Sequence, residues 1–539
     1  MTIRQDGAQP EQAPFRDDEL VSGASTARDS LTVAVWTTVS RVTGVARVVV
    51  TGAVLGATYF GNAYQLTNVV PNLVFYGFLA GSLLSSLLVP ALVRHIDAGD
   101  WRETGRVAGG FLGVTWLALL AAAPVAVLVV PPLAGVLGGG AGAGQHVRLL
   151  LVLAVPQVFC YAMVASATAV MYARRRYLLA AAAPGLENLG VIAVLLLSGA
   201  LWHHPGADGT PIGLVLVLGG GSTLAVVLHA SVQWWGAHRC GVTLLPRAGW
   251  SDPAVRVVVR RAVRSVAQSG LFAAQVLLLL AVAGRVAGGT VAFQIALNFY
   301  HLPLALAAAP VGLALLPRLS RLVEQDPTGF TDAYRRALGL ALFLVVPAAA
   351  GYVVLAAPLA HSIAAGRMAT GAGVAMVAAS LGTLALGLVG ETVFVISTQA
   401  AYARGDATSP LRSMLVQTGL CLALAVPALL VHGPRVVAAL GAGFALASGA
   451  GGLHLALRVR RQAAPATERL WPSLVRTATA TTVMAGACWA AASAVTATPL
   501  LAAAAGCGAG ALVYAGVHRL LGSAELTWLL QGAHRGGAR

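Results

Sequence analysis

Two arginines, Arg41 and Arg47, stand six residues apart inside a stretch that otherwise reads straight into a bilayer, SRVTGVARVVVTGAVLGATYFG from Ser40 to Gly61. An arginine at the centre of a bilayer costs roughly 2.5–3.5 kcal/mol on insertion scales, so a pair of them must face something other than lipid. The planar guanidinium offers paired N–H groups that match the oxygens of phosphate or carboxylate. The chemistry these residues suggest is capture of an anionic group inside a membrane. At this spacing they lie about 120° apart around a helix, so they border one broad cavity and cannot form a single stripe. The alternative for each is that its side chain snorkels to the lipid head groups, more so for Arg41 near the helix end.

Other polar residues interrupt apolar segments in the same way: Asn62, Gln65, Asn68, Asn72, Glu187, Asn188, Gln268, Gln294, Asn298 and Glu391. Each is costly in hydrocarbon and is expected to face a water-filled interior or another polar group. Pro71-Asn72, beside Asn62, Gln65 and Asn68, reads as a cavity-facing bend, although Gly and Pro are also simply commoner in membrane helices. Glu187 and Glu391 have two readings: proton or cation coupling, or paired groups that fix helix packing.

Enzyme chemistry is not indicated. The chain has no GxxxxGK[ST] loop, no HExxH and no cytoplasmic stretch large enough to hydrolyse a nucleotide. Its five cysteines (Cys160, Cys240, Cys421, Cys488, Cys507) form no CxxC pair, so neither a metal site nor a disulfide framework is expected. No cofactor is expected, and energy for any transport must come from a gradient, the membrane potential or the substrate.

The elements that position these residues are membrane helices. The 539 residues are 58% hydrophobic and 10% charged, with a mean hydropathy of +0.79, whereas a soluble chain carries about 25% charged residues. The net charge of +16 comes from arginine, since the chain has no lysine. It reads as topology-setting charge and not as a nucleic-acid surface. The polar N-terminus lacks an apolar signal-peptide core and reads as a disordered cytoplasmic tail. About 20 apolar residues make a span. On that length the chain offers about fourteen, near 31–55, 63–93, 107–136, 148–173, 178–201, 211–237, 259–284, 289–317, 334–363, 371–402, 410–431, 435–457, 473–496 and 498–521. One set of connections holds only Arg148, Arg285, Arg367 and Arg435, while the other is rich in arginine. That asymmetry places both termini in the cytoplasm.

The chain also repeats. VPALVRHID at Val89–Asp97 returns as LPRLSRLVE at Leu316–Glu324, an offset of 227, and YAR at Tyr172–Arg174 returns at Tyr402–Arg404, an offset of 230. Both copies fall at cytoplasmic ends, which predicts an all-α, polytopic fold of two six-helix lobes in a parallel pseudo-repeat, with a site between them. The expected division is a tail at 1–30, a first lobe at 31–237, a cytoplasmic linker at 238–258, a second lobe at 259–460, two additional helices within 461–521, and a tail at 522–539.

SRVTGVAR, LGATYFGNAYQLTNVVPNL and GSLLSSLLVPAL, together with YARGDATSP at Tyr402–Pro410, resemble the MurJ/MviN lipid II flippase family, of the multidrug/oligosaccharidyl-lipid/polysaccharide flippase superfamily. The resemblance spans about residues 30–521. It implies alternating access by two rocking lobes about a central cationic cavity, with a groove by the last two helices for a lipid tail. Arg41 and Arg47 match two of that family's cavity arginines. A third such position is Phe75 here and a fourth is Asn298. The family's acidic residue after the first extracytoplasmic turn is Asn62, and its Glu-Gly in the second helix is Ala80-Gly81. Each missing charged hydrogen bond weakens anion binding by roughly 1.5–3 kcal/mol.

The resemblance further implies a monomer of the bacterial plasma membrane, surrounded by membrane lipids, with a lipid-linked anionic substrate and cell-wall synthesis proteins as candidate partners. Arg41, Arg47, Asn62, Gln65, Asn68, Asn72, Phe75 and Asn298 are the expected cavity residues, with Glu187 and Glu391 for ion coupling. Three functions follow: a flippase for a lipid II-like precursor, a divergent exporter of another amphiphile, or a cell-wall assembly scaffold that has lost transport.

Overall fold

In lipid a spanning segment must satisfy its own backbone, which leaves the helix as the solution for apolar runs of this length. A computed structural model describes residues 18–74, 88–137, 143–174, 176–202, 210–251, 253–465, 467 and 469–527, and among these every regular element is helical. The first lobe is built from α1 (Asp18–Leu55), α2 (Tyr59–Val74), α3 (Val89–Asp97), α4 (Trp101–Leu137), α5 (Ala143–Ala173), α6 (Tyr177–Leu201) and α7 (Ile212–Arg239). The second comprises α8 (Pro253–Ala283), α9 (Gly289–Pro303), α10 (Ala309–Gln325), α11 (Pro327–Val354), α12 (Ala356–Ile363), α13 (Gly371–Ala385), α14 (Gly387–Ala403), α15 (Thr408–Ala425) and α16 (Pro434–Arg461). Two further helices follow, α17 (Trp471–Ala494) and α18 (Pro499–Leu520).

Eleven helices among the described residues are long and apolar enough to cross a membrane, or twelve with α13 and α14, bent by 43°, counted as one span. The expected all-helical polytopic class is borne out. Of the fourteen expected spans, 63–93 includes residues 75–87, which lie outside the described ones, and 473–496 is helical as α17 but carries Ala, Thr and Ser where the others carry Leu and Val. The helix α1 starts at Asp18, well before the expected 31. No proline falls between Pro14 and Pro71 to stop it.

The repeat read from the sequence is a repeat of packing. α1 lies on α6 as α8 lies on α15, α4 on α5 as α11 on α14, and α5 and α6 on α7 as α14 and α15 on α16. The α9–α10 span carries Pro303 and Pro310 on either side of a wider π turn at Leu304–Ala308, where prolines withhold backbone donors. The added pair packs on itself, with α17 against α11 and α18 against α12. Tyr514 donates to the Phe343 carbonyl at 2.7 Å, and Glu525 accepts from Ser473 and Ser523.

Where the lobes meet, the chain runs close. Gly56 (φ +68°) turns α1 into α2, and Gly288 (φ +78°) turns α8 into α9. A Cβ on Gly288 would lie 2.4 Å from Ala57 Cα, and one on Gly56 would lie 2.8 Å from Arg367 Cβ. Only glycine combines that backbone with that approach. The largest buried apolar cluster gathers beneath this junction, from Val48 and Leu66 to Val291, Met368 and Phe444.

Candidate functional site: a cationic cavity between the lobes

α1, α2, α5, α6, α7, α8 and α9 enclose a cavity of about 500 Å3, within the range of ligand sites. Its rim, at Thr37, Ser40 and Arg41, lies on the N-terminal half of α1, where residues 35–39, 41 and 42 are exposed. At the other end it is shut by the junction of the two glycine turns. Gln65 and Gln294, equivalent residues of the two lobes, line its wall towards that closed end.

Six of the expected cavity and coupling residues share this lining: Arg41, Arg47, Gln65, Asn72, Glu187 and Asn298. Arg41 is exposed at the rim, while Arg47 lies one and a half turns deeper. Arg47 is committed: its guanidinium donates to Glu187 Oε1 at 3.2 Å and to Asn188 Oδ1 at 3.3 Å. Glu187 Oε1 also accepts from the Tyr161 hydroxyl at 2.7 Å, and Oε2 meets His229 Nδ1 at 2.7 Å. Tyr161 links this cluster to Asn72 Oδ1, 3.3 Å away. Asn298 turns its amide back to the Gln294 carbonyl at 2.9 Å.

The other expectations are corrected by position. Asn62 is not a cavity residue, because its carboxamide closes the junction: Nδ2 donates to the Gly284 and Val286 carbonyls at 3.2 and 2.7 Å, and Oδ1 accepts from Thr290 N–H at 3.0 Å. Asn68 lies on the flank of α2 outside the lining, its amide 3.5 Å from the Tyr64 carbonyl one turn back. Glu391 is in the interior of the second lobe, 3.5 Å from Gln417 Nε2, and not on the cavity wall. Phe75 and Ala80-Gly81 lie outside the described residues.

Sequence reasoning missed Tyr161, His229 and His301 as cavity residues. The available signal for His229 was its place in an apolar span with Gln233 one turn on. Among the described residues no three His, Cys, Asp or Glu side chains gather as metal ligands.

Two packed helical lobes with a polar, arginine-bearing cavity between them define a multi-pass membrane transporter. The solved structures agree on the fold. A lipid II flippase MurJ in an inward closed conformation superposes with a TM-score of 0.73 at 16% identity, covering 91% of this chain and 98% of that one. An inward-facing multidrug resistance MATE family transporter of the MOP superfamily gives 0.62 at 13% identity, covering 79% and 94%. The chain belongs to the lipid II flippase MurJ family, whose sequence model it matches over residues 52–503. Curated relatives include the probable lipid II flippases MurJ of Vibrio cholerae, 26% identical over 71% of this chain and 74% of that protein, and of Rhizobium tropici, 26% identical over 74% of each. The family and its apolar helices make it a multi-pass protein of the bacterial inner membrane.

Proposed function

We propose that this chain is a flippase that moves a polyprenyl-linked, anionic cell-wall precursor of the lipid II type from the inner to the outer leaflet by alternating access. The observation that carries this reading is the pair Arg41 and Arg47, which line one cavity between two lobes, open at one end and shut at the other. Arg41, exposed at the rim, presents its charge to an anion entering the cavity, and Arg47, held by Glu187, lies one and a half turns deeper on the same wall. The arginine asymmetry of the connections orients the open end, and both termini, to the cytoplasm. A pyrophosphate head would enter there while its tail stays in lipid, and opening of the glycine-turn junction would release it outside. Membrane lipids surround the bundle, and cell-wall synthesis proteins are its natural partners. Ion coupling is assigned to Glu187, which faces the cavity, and not to Glu391, which does not.

Asn298, where the resemblance expects arginine, favours one alternative: a less anionic amphiphile as cargo. Complementation separates the two. A bacterium depleted of its own lipid II flippase should grow on this chain and fail on equally expressed Arg41→Ala or Arg47→Ala. No growth from a well-inserted parent chain would favour the other cargo.

A further inference from the structure

A buried carboxylate in the cavity wall is shared between an arginine and a histidine. Glu187, 5% exposed, holds Arg47 through one oxygen and His229, 2% exposed, through the other. The neighbouring hydrogen bonds orient the ring. The Thr168 hydroxyl donates to Gln233 Oε1 at 3.5 Å, and Gln233 Nε2 donates to the Ala180 carbonyl at 3.3 Å. The amide nitrogen of Gln233, 3.4 Å away, therefore faces His229 Nε2. With Nε2 accepting there, Nδ1 carries the ring proton and gives it to Glu187. With the ring proton on Nδ1, Arg47 supplies the charge that balances the carboxylate.

The other titratable groups around His229 do not alter that balance. Tyr161 on α5 meets it edge-on, with ring centroids 6.4 Å apart, and donates to Glu187. Tyr64 on α2 is tied to Ser222, two turns back along α7. Neither brings a positive charge.

An anion in the cavity upsets the arrangement, because Arg47 cannot give its N–H groups wholly to both. A carboxylate left buried without its counter-charge is strongly unfavourable. We propose that an anionic head group entering the cavity takes Arg47 from Glu187, and that His229 compensates by taking up one proton. The proton comes from cavity water and lands on Nε2, the Gln233 carboxamide turns to offer its oxygen, and an imidazolium replaces the guanidinium beside Glu187. Cargo binding and proton uptake are then the same event. This rests on the head-group reading above and adds to it the residues that take and hold the proton. By linkage, affinity rises as pH falls, by up to about tenfold per pH unit.

The test is calorimetry on the full-length chain in nanodiscs, titrated with geranylgeranyl pyrophosphate. Two buffers of different ionisation enthalpy are compared at about pH 8, where the probe is fully ionised. The parent chain should take up one proton per probe bound. Glu187→Gln should bind more tightly, because Arg47 is already released, and take up none. His229→Gln should bind more weakly and take up none; should it fail to fold, Glu187→Gln carries the test alone. Binding that needs Arg41 and Arg47 but moves no proton in the parent overturns this inference and leaves the head-group reading standing, as does uptake that persists in His229→Gln or Glu187→Gln. Binding indifferent to both arginines overturns both.

Discussion

Asn62 and Thr290 meet across the lobe boundary, the carboxamide oxygen of one accepting from the backbone N–H of the other at 3.0 Å. They are 228 residues apart, within the 227–230 offset of the repeat. Equivalent positions of two related lobes can touch only near the axis that relates them. Asn62 therefore pins the bundle on its own pseudo-symmetry axis, at the end of the cavity that is shut.

Asn62→Ala would leave the Gly284 carbonyl and the Thr290 N–H unmet at a buried boundary, at a cost of about 1–3 kcal/mol for each group that water cannot reach, while the Val286 carbonyl keeps its bond from the Gly289 N–H. Asn68→Ala loses only a long contact within its own helix. Thermal unfolding in detergent should drop clearly for the first and hardly at all for the second. Equal drops would remove Asn62 from the junction.

Arg41 and Arg47 should separate under mutation. Arg41→Ala leaves stability unchanged, since the side chain is exposed at the rim. Arg47→Ala strips the guanidinium from a carboxylate that is 6% exposed, a loss of up to about 3–5 kcal/mol for a buried pair and less where His229 takes its place beside Glu187. Both variants should fail complementation, and only Arg47→Ala should melt early. Glu187→Gln in the Arg47→Ala background should recover part of the lost stability, because the orphaned charge is gone.

Gly288→Ala should act on the conformational equilibrium. The left-handed backbone costs an L-residue about 1–2 kcal/mol, and the new Cβ would overlap Ala57. The shut end should be driven open. Spin labels at Tyr59 and Arg435 should report a longer mean distance than in the parent chain, with transport impaired. An unchanged distance distribution would mean the turn tolerates a side chain.

The C-terminal hairpin should come loose in acid. Burial raises the Glu525 carboxyl, but hydrogen bonds from Ser473 and Ser523 and the charge of Arg476 bring it below the ordinary carboxylate value. A group depressed in the folded state adds stability above its unfolded value and loses it as pH falls through the folded one. Protease protection of the segment after α18 should therefore weaken below about pH 4, the ordinary carboxylate range. Ser473→Ala should shift that loss to higher pH.

The membrane class, the lobe repeat and the two arginines were legible because each leaves a one-dimensional mark: apolar length, an offset between fragments, and a charge where none belongs. The fate of the asparagines was not. Asn62, Asn68 and Asn72 are equally anomalous in sequence, yet one closes the junction, one sits on a flank and one lines the cavity, and only the helix's rotation decides which. His229 was hidden for a related reason. A lone histidine in an apolar run gains meaning only from Glu187, 42 residues earlier, once α6 lies against α7. Glu187 and Glu391 looked alike as isolated acids, but α6 borders the cavity and α14 packs inside the second lobe.

The segment between α7 and α8 crosses α4 so closely that side chains are excluded on one face. Arg247 N–H donates to the Gly109 carbonyl at 3.0 Å, and a Cβ on Gly113 would fall 2.0 Å from the Arg247 carbonyl oxygen. Such contact ties the strap to α4 as one rigid body. The first turn of α8 belongs to that body as well, because Val255 lies against Gly110 and Arg256 donates to the Trp250 carbonyl at 2.6 Å, so when the lobes rock this end of α8 stays with α4. The tether between the lobes is accordingly much shorter than its length in residues suggests, a stiff brace instead of a slack leash.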